Sequence, residues 1–223
     1  MLESETPRSP VRAQQPLARQ AVIEAALRFV DREGSDALSM RRLGSQLGAG
    51  TMTLYNHVAN KDDLLDAVAE LLWNEVSSRI SITGDWRADV RAVGQAISRV
   101  AWDHPHAYPM MLDRGVVPAG ATRIAADLAE SLQTAGFDQR TEDAVRTVIG
   151  YAAGYTMCEV AWYGDPAAAM AAGAQPQPDA ADDDEGRRMI LECDTAAQFA
   201  FGLEVLLDGL EQLLSEAQGV PAS

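Results

Sequence analysis

Residues 39–61 hold the side chains best suited to chemistry: Ser-Met-Arg-Arg-Leu-Gly-Ser-Gln-Leu-Gly-Ala-Gly-Thr-Met-Thr-Leu-Tyr-Asn-His-Val-Ala-Asn-Lys. A protein that reads duplex DNA needs short groups against base edges and other groups on phosphate. Thr51 can donate or accept a hydrogen bond, and Met52 can meet a thymine methyl. Thr53 and Asn56 are further candidates for the groove. Ser39 and Met40 open a short helix whose N-terminal amides can hold a phosphate. Two short helices joined by Gly48-Ala49-Gly50 have the form of a helix-turn-helix whose second helix enters a major groove.

These residues need a frame. Val22, Ile23, Ala26, Leu27, Phe29 and Val30 recur at helical spacing, with Pro16 placed for a first turn and Gly34 as a stop. Ser39 is a suitable N-cap for a helix to about Leu47, and Thr51 to about His57 forms the third helix. Asn60 caps a fourth. Asp62 and Asp63 favour its first turn through the helix dipole, and Leu64, Leu65, Val68, Leu71, Leu72 and Val76 form its apolar stripe. The pattern restarts over 86–103, with Val90, Val93, Ile97 and Val100 inward, and Pro105 ends it. A short kinked helix around Pro109, then helices over 121–134, 141–163 and 195–216, complete the chain. The expected fold is all-α. A three-helix helix-turn-helix head (16–60) stands on a larger helical ligand-binding and dimerisation domain (61–223). Residues 1–15, with Arg8 and Arg12, are expected to form a disordered arm, and about 164–190 a mobile acidic loop.

The net charge of −15 looks wrong for a DNA binder until it is divided. Residues 1–61 carry eight basic and six acidic residues, a net of +2; the rest carry ten arginines and 27 acids, a net of −17. A mildly basic head on an acidic body suits local phosphate contact with a body repelled by DNA. Cys158 and Cys193 lack metal-type spacing, as expected for a reduced cytoplasmic chain. No apolar run is long enough to span a membrane, and the first 15 residues have no signal-peptide core. His104 and His106 stand two apart, off a common helix face, so no metal pair is expected. No nucleophile–base–orienter order is readable, so neither catalysis nor a cofactor is expected.

The chain resembles the TetR family of bacterial transcription regulators. The likeness is densest over residues 17–76: Ala25-Ala26-Leu27, then Leu38-Ser-Met-Arg-Arg-Leu and Leu47-Gly48. It is strongest in Thr53-Leu-Tyr-Asn-His-Val58 and Asn60-Lys-Asp-Asp-Leu-Leu65. Phe201-Gly-Leu-Glu-Val-Leu-Leu-Asp-Gly-Leu also looks like the closing helix of such proteins. The resemblance implies a homodimeric repressor of a palindromic, double-stranded DNA operator, released by a small molecule in the carboxy-terminal domain. It further implies phosphate contacts for Tyr55, His57 and Lys61, the only lysine of the chain. Arg41 matches a position that reaches a base, where bidentate contact with guanine is its natural role. Gly44 departs from the alanine expected there, a change that costs helix stability and permits close packing. The competing reading is an all-helical small-molecule-binding protein or enzyme whose head no longer binds DNA.

The second half is rich in rings and soft side chains that suit an apolar or aromatic effector. Trp102, His104, His106, Tyr108, Met111, Tyr151, Tyr155 and Trp162 are the candidate lining, gathered around the break at Pro105. Glu159 lies among apolar neighbours and could pair with a cationic ligand, but it is expected to turn to solvent. The dimer interface is expected from two helices. One carries Gly150, Gly154, Cys158 and Ala161 on one face; the other repeats Phe199, Leu203, Leu206, Leu210 and Leu213 as a seam.

Overall fold

The computed structural model describes residues 18–115, 117–163 and 195–217. The arm at 1–15, Pro16, the acidic loop at about 164–190 and the side chain of Trp162 lie outside the described residues. Nine α-helices make up the described part: α1 (Arg19–Glu33), α2 (Met40–Gln46), α3 (Thr51–Tyr55), α4 (Lys61–Ser78), α5 (Trp86–Asp103), α6 (Tyr108–Leu112), α7 (Ala119–Ala135), α8 (Thr141–Tyr163) and α9 (Thr195–Ala217).

Local chemistry sets the boundaries. Ser39 Oγ accepts from the Arg42 N–H at 3.3 Å and Asn60 Oδ1 from the Asp63 N–H at 2.8 Å, two N-caps. Asp63 reciprocates with Oδ2, 2.7 Å from the Ala59 N–H. Helix α3 stops at Tyr55, two residues short of the expected end, because Asn56 and His57 donate to Thr53 and Leu54 carbonyls in a tightened last turn. Asp85 caps α5. The fully buried Asp89 anchors the loop before it, accepting from Ser131 Oγ at 2.6 Å, Thr83 Oγ1 at 2.9 Å, and the Thr83 and Gly84 amides. Burial pushes its carboxyl up, but these donors outweigh it and hold it below the ordinary range.

Helices α1–α3 form the head. The apolar faces of α1 and α4 meet through Val22, Ala26, Phe29 and Val30 and through Leu64, Val68 and Leu72, so head and body share one core. In the body α5 lies against α7, α8 and α9, while α4 packs on α6 and α7. Arg87 and Arg91 bind α5 to α9: Arg91 meets Glu204 in a two-point pair at 2.6 and 2.8 Å, and Arg87 meets Asp208 at 2.8 Å and Glu211. Tyr151 crosses from α8 and donates to the Phe199 carbonyl at 2.9 Å. It lies over Gly202, where a Cβ would collide with the phenol oxygen.

The expected dimer seam is corrected by this packing. Phe199, Leu203 and Leu210, together with Leu207, are buried within the protomer against α5 and α8; Leu206 and Leu213 are half-buried. A four–three spacing on a helix identifies a buried stripe but not which chain covers it. The face of α9 left outward carries Phe201 and Val205, 67% and 55% exposed. On α8, Gly150, Gly154, Cys158 and Ala161 are exposed, with open space beside both glycines.

Candidate DNA-reading head and ligand cavity

The helix-turn-helix is built on a close approach. A Cβ at Gly44 would lie 2.9 Å from the Ala49 carbonyl oxygen and 3.6 Å from Leu54 Cδ1. The Ala49 N–H itself donates to the Gly44 carbonyl at 2.9 Å, so the turn folds directly over Gly44. Leu54, fully buried, fixes the inner face of α3. The opposite face is thereby turned out. Met52 is 76% and Tyr55 45% exposed, Asn56 is exposed, and Thr51 and Thr53 are half-buried.

The other head candidates divide. Arg41 is exposed and has no ion pair among the described residues. Its neighbour Arg42 is structural: it pairs with Glu33, donates to the Ala37 carbonyl at 2.9 Å and sits 4.9 Å from the Phe29 ring centre. Met40 is buried, so its side chain belongs to the core, and its backbone N–H is what it can offer a phosphate. Ser39 uses its hydroxyl in the cap. The His57 carbonyl accepts from Arg19 Nε at 3.2 Å, pinning the end of α3 to the start of α1. Lys61 Nζ donates to the Ser35 carbonyl at 3.0 Å, which occupies one of its three donors.

The ring-rich candidates do not gather around Pro105 as expected. Tyr108 is fully buried and donates to the Ala153 carbonyl at 3.2 Å, and burial pushes its phenol well above the ordinary range. Met111 is likewise core. His104 uses both ring nitrogens: Nδ1 lies 2.9 Å from Asp31 Oδ2 on α1, and Nε2 3.2 Å from Glu75 Oε2 on α4. The Asp31 hydrogen bond raises the imidazole pKa, Glu75 adds to it, and partial burial opposes both. His106 Nδ1 lies 2.7 Å from the Asp31 carbonyl oxygen. Both histidines tie the head to the body; His104 has no ring nitrogen left for a ligand, while His106 is exposed and engages Nδ1 alone among the described residues.

One cavity beside the break, of about 600 Å³, is lined by His106, Pro109, Met110 and Met157 but by no candidate tyrosine or tryptophan. The cavity that holds a candidate tryptophan lies one turn earlier, between α5, the end of α8 and the start of α9. Its volume is about 480 Å³, and Trp102, Phe199 and Leu203 give it an apolar side. Its polar side comes from the outer face of α5, at Arg91, Gln95, Ser98 and Arg99, and from Arg79 of α4. Tyr151 and Tyr155 stand behind Phe199, their ring centres 5.6 and 5.8 Å from it. Burial first, then the neighbouring Tyr155 and Glu159, push the Tyr151 phenol up to about 12.

Sequence reasoning misplaced Glu159. It is 3% exposed and lines this cavity. The Trp102 indole N–H donates to its carboxylate, while Oε1 has no partner among the described residues. Burial pushes its carboxyl up to about 7, against the Trp102 hydrogen bond. The signal was present: Glu159 is the only charged residue of α8 after Arg146.

A contiguous ionic chain joins cavity and head. Asp103 and Arg79, both on the cavity wall, pair at 2.7 Å; Arg79 pairs with Glu75, whose other oxygen meets His104, which meets Asp31 of α1. No helix of the described residues is long and apolar enough to cross a membrane.

Comparison with known proteins gives the same division of the chain. Residues 22–68 match the family profile "Bacterial regulatory proteins, tetR family", and 81–214 match "Tetracyclin repressor-like, C-terminal domain". An HTH-type transcriptional regulator of Saccharopolyspora erythraea is 31% identical over 66% of this chain, a match spanning 62% of that relative. A possible TetR family transcriptional regulator from Streptomyces coelicolor A3(2) superposes with a TM-score of 0.71 at 26% identity, over 88% of this chain and 100% of that one. BioQ with its double-stranded DNA operator superposes at 0.61 and 27% identity, over 87% and 98%; BioQ has also been solved from Mycobacterium smegmatis. A TetR variant from Acinetobacter baumannii AYE in complex with minocycline superposes at 0.67 and 26%, over 89% and 99%. With one profile over the head and the other over more than half of its length, the chain belongs to the TetR family and is a helix-turn-helix transcriptional regulator.

Proposed function

We propose that the protein is a ligand-released transcriptional repressor. A homodimer sets the α3 helix of each protomer into a major groove of a palindromic operator, and a small molecule in the carboxy-terminal cavity favours a state whose heads are wrongly spaced. Thr51, Met52, Thr53 and Asn56 face bases, with Arg41 reaching a guanine. Tyr55, His57, Lys61 and the first amides of α2, at Ser39 and Met40, take phosphates. The solved relatives bound to an operator and to minocycline support both halves of this reading. The dimer forms through the small-residue face of α8 and the Phe201–Val205 face of α9. The protein works in the cytoplasm, where its DNA is, and the reading assigns it no bond-making step.

The observation that carries the proposal is the ionic chain from the cavity wall to Asp31. It gives a ligand a physical route to the angle of the head, since Arg79 and Asp103 cannot move without disturbing Glu75 and His104. An electrophoretic shift with the DNA flanking the coding region, with and without candidate small molecules, tests it. Retardation by the free protein and release by a ligand are expected; a protein that retards no flanking fragment at low salt would overturn the reading.

A further inference from the structure

We propose that the cavity between α5, α8 and α9 takes a cationic ligand, a protonated or quaternary amine on an apolar or aromatic body, with Glu159 as its counter-ion. The inference deepens the reading of the protein as an effector-released repressor and rests on it for the purpose of the cavity. It stands on the unpaired oxygen of a buried acid. Glu159 is only 3% exposed, and Oε1 has no hydrogen-bond partner among the described residues. A buried carboxylate oxygen without a partner is costly, and a cation beside it recovers that cost, through an N–H donor when the amine is protonated and through its charge alone when it is quaternary. The other charges of the wall do not satisfy it. Arg79 is held by Glu75 and Asp103, and Arg91 by Glu204. Arg99 is exposed and has no ion pair with Glu159 among the described residues. Of the wall's three acids, Asp103 and Glu204 are paired with arginines, which leaves Glu159 beside two aromatic rings, Trp102 and Phe199. Aromatic faces attract cations and also accept flat apolar bodies, so the rings and the carboxylate select the same molecule.

The acid also carries a pH signature. Desolvation holds the Glu159 proton up to about 7, with the Trp102 N–H pulling the other way. A permanent cation favours the ionised form, so its affinity must rise with pH through that value and level off above it. The charged groups facing Glu159 are Arg79 of α4, Arg91, Arg99 and Asp103 of α5, and Glu204 of α9. Arg79 and Arg91 are pushed further up, and Glu204 is held low by Arg91, so these three do not titrate in that window.

The test uses two probes of equal shape, 2-naphthylmethyl-trimethylammonium and its uncharged isostere 2-neopentylnaphthalene. Binding to the full-length protein is followed by Trp fluorescence, and binding to operator DNA is followed in parallel. At about pH 8 the cation is expected to bind roughly tenfold or more tightly than the isostere, with the advantage shrinking toward about pH 6. Glu159→Gln, which keeps the shape and the acceptor for Trp102, is expected to erase both the advantage and the pH dependence while leaving the isostere unchanged. The wild-type pH profile stands as a readout should the variant fold poorly. Equal binding of the two probes, no binding of either, or a cation preference that survives Glu159→Gln overturns the proposal. A charge-selective site whose occupation leaves operator binding untouched instead upholds Glu159 and overturns the release mechanism.

Discussion

His104 Nδ1 lies 2.9 Å from Asp31 Oδ2, across the seam between the head and the body. The pair closes the ionic chain that begins at Arg79 and Asp103 in the cavity wall. His104→Ala should lower stability by about 1–3 kcal/mol, the usual worth of a charged hydrogen bond. The folded-state pKa of His104 is raised above its ordinary value by Asp31 and Glu75, so its contribution is full below about pH 6.5 and is lost as pH rises through the raised value. Melts of wild type and variant should therefore converge at high pH. The variant should also show a smaller factor by which ligand and operator weaken each other. A difference in melting that grows with pH would show that the sign of the linkage is wrong.

Gly44→Ala tests the turn. The change favours an isolated helix by about 1 kcal/mol. Here the new methyl would stand 2.9 Å from a backbone oxygen, which moves only with the turn itself. The overpacking should win by about 1–3 kcal/mol and swing α3. Calorimetry and operator affinity should both fall. An alanine variant as stable as wild type would contradict the close-approach argument.

Phe201 and Leu207 stand on opposite sides of α9, one 67% exposed and the other fully buried. Phe201→Glu should give a folded monomer, because it places a charge in the partner's path. Leu207→Glu should unfold the chain, because it buries an unpaired charge within the protomer. Light scattering and circular dichroism at about micromolar concentration separate the two outcomes. A Phe201→Glu protein that remains dimeric would place the interface elsewhere.

Most of the fold was legible in the sequence because its cues are local. Ser39, Asn60 and the Gly48–Gly50 turn announced the head, and the apolar stripe of α5 announced its inward face. What was illegible depends on partners far along the chain. His104 reads as a free handle until Asp31, 73 residues away, and Glu75, 29 away, are brought to it. Arg91, Gln95, Ser98, Arg99 and Trp102 share one face of α5 by helical spacing, but their polarity reads as a solvated surface. Only the arrival of α9, with Glu204 on Arg91, turns that face into a cavity wall. Glu159 was misjudged for the same reason: what buries an acid on a helix is the neighbour, not the helix.

Lys61 and Tyr55 should act on affinity rather than sequence choice. Lys61→Ala should weaken binding to every duplex alike and reduce the slope of log affinity against log salt by about one unit. Tyr55→Phe should weaken it without changing the slope, since the phenol is neutral. Fluorescence anisotropy at several salt concentrations reads both. An unchanged slope for Lys61→Ala would mean that its ammonium, held at Ser35, does not reach a phosphate.

The central claim, that α3 reads an operator, is tested most directly by selecting bound sequences from randomised duplexes and comparing wild type with Thr51→Val and Met52→Ala. Wild type should enrich a palindrome with half-sites spaced by about one helical turn or a multiple of it. The two variants should relax or change the preference at symmetric positions, at about 1–3 kcal/mol per lost base contact, and leave the rest of the site intact. Enrichment of no sequence by wild type, or the same consensus from all three proteins, would contradict the account.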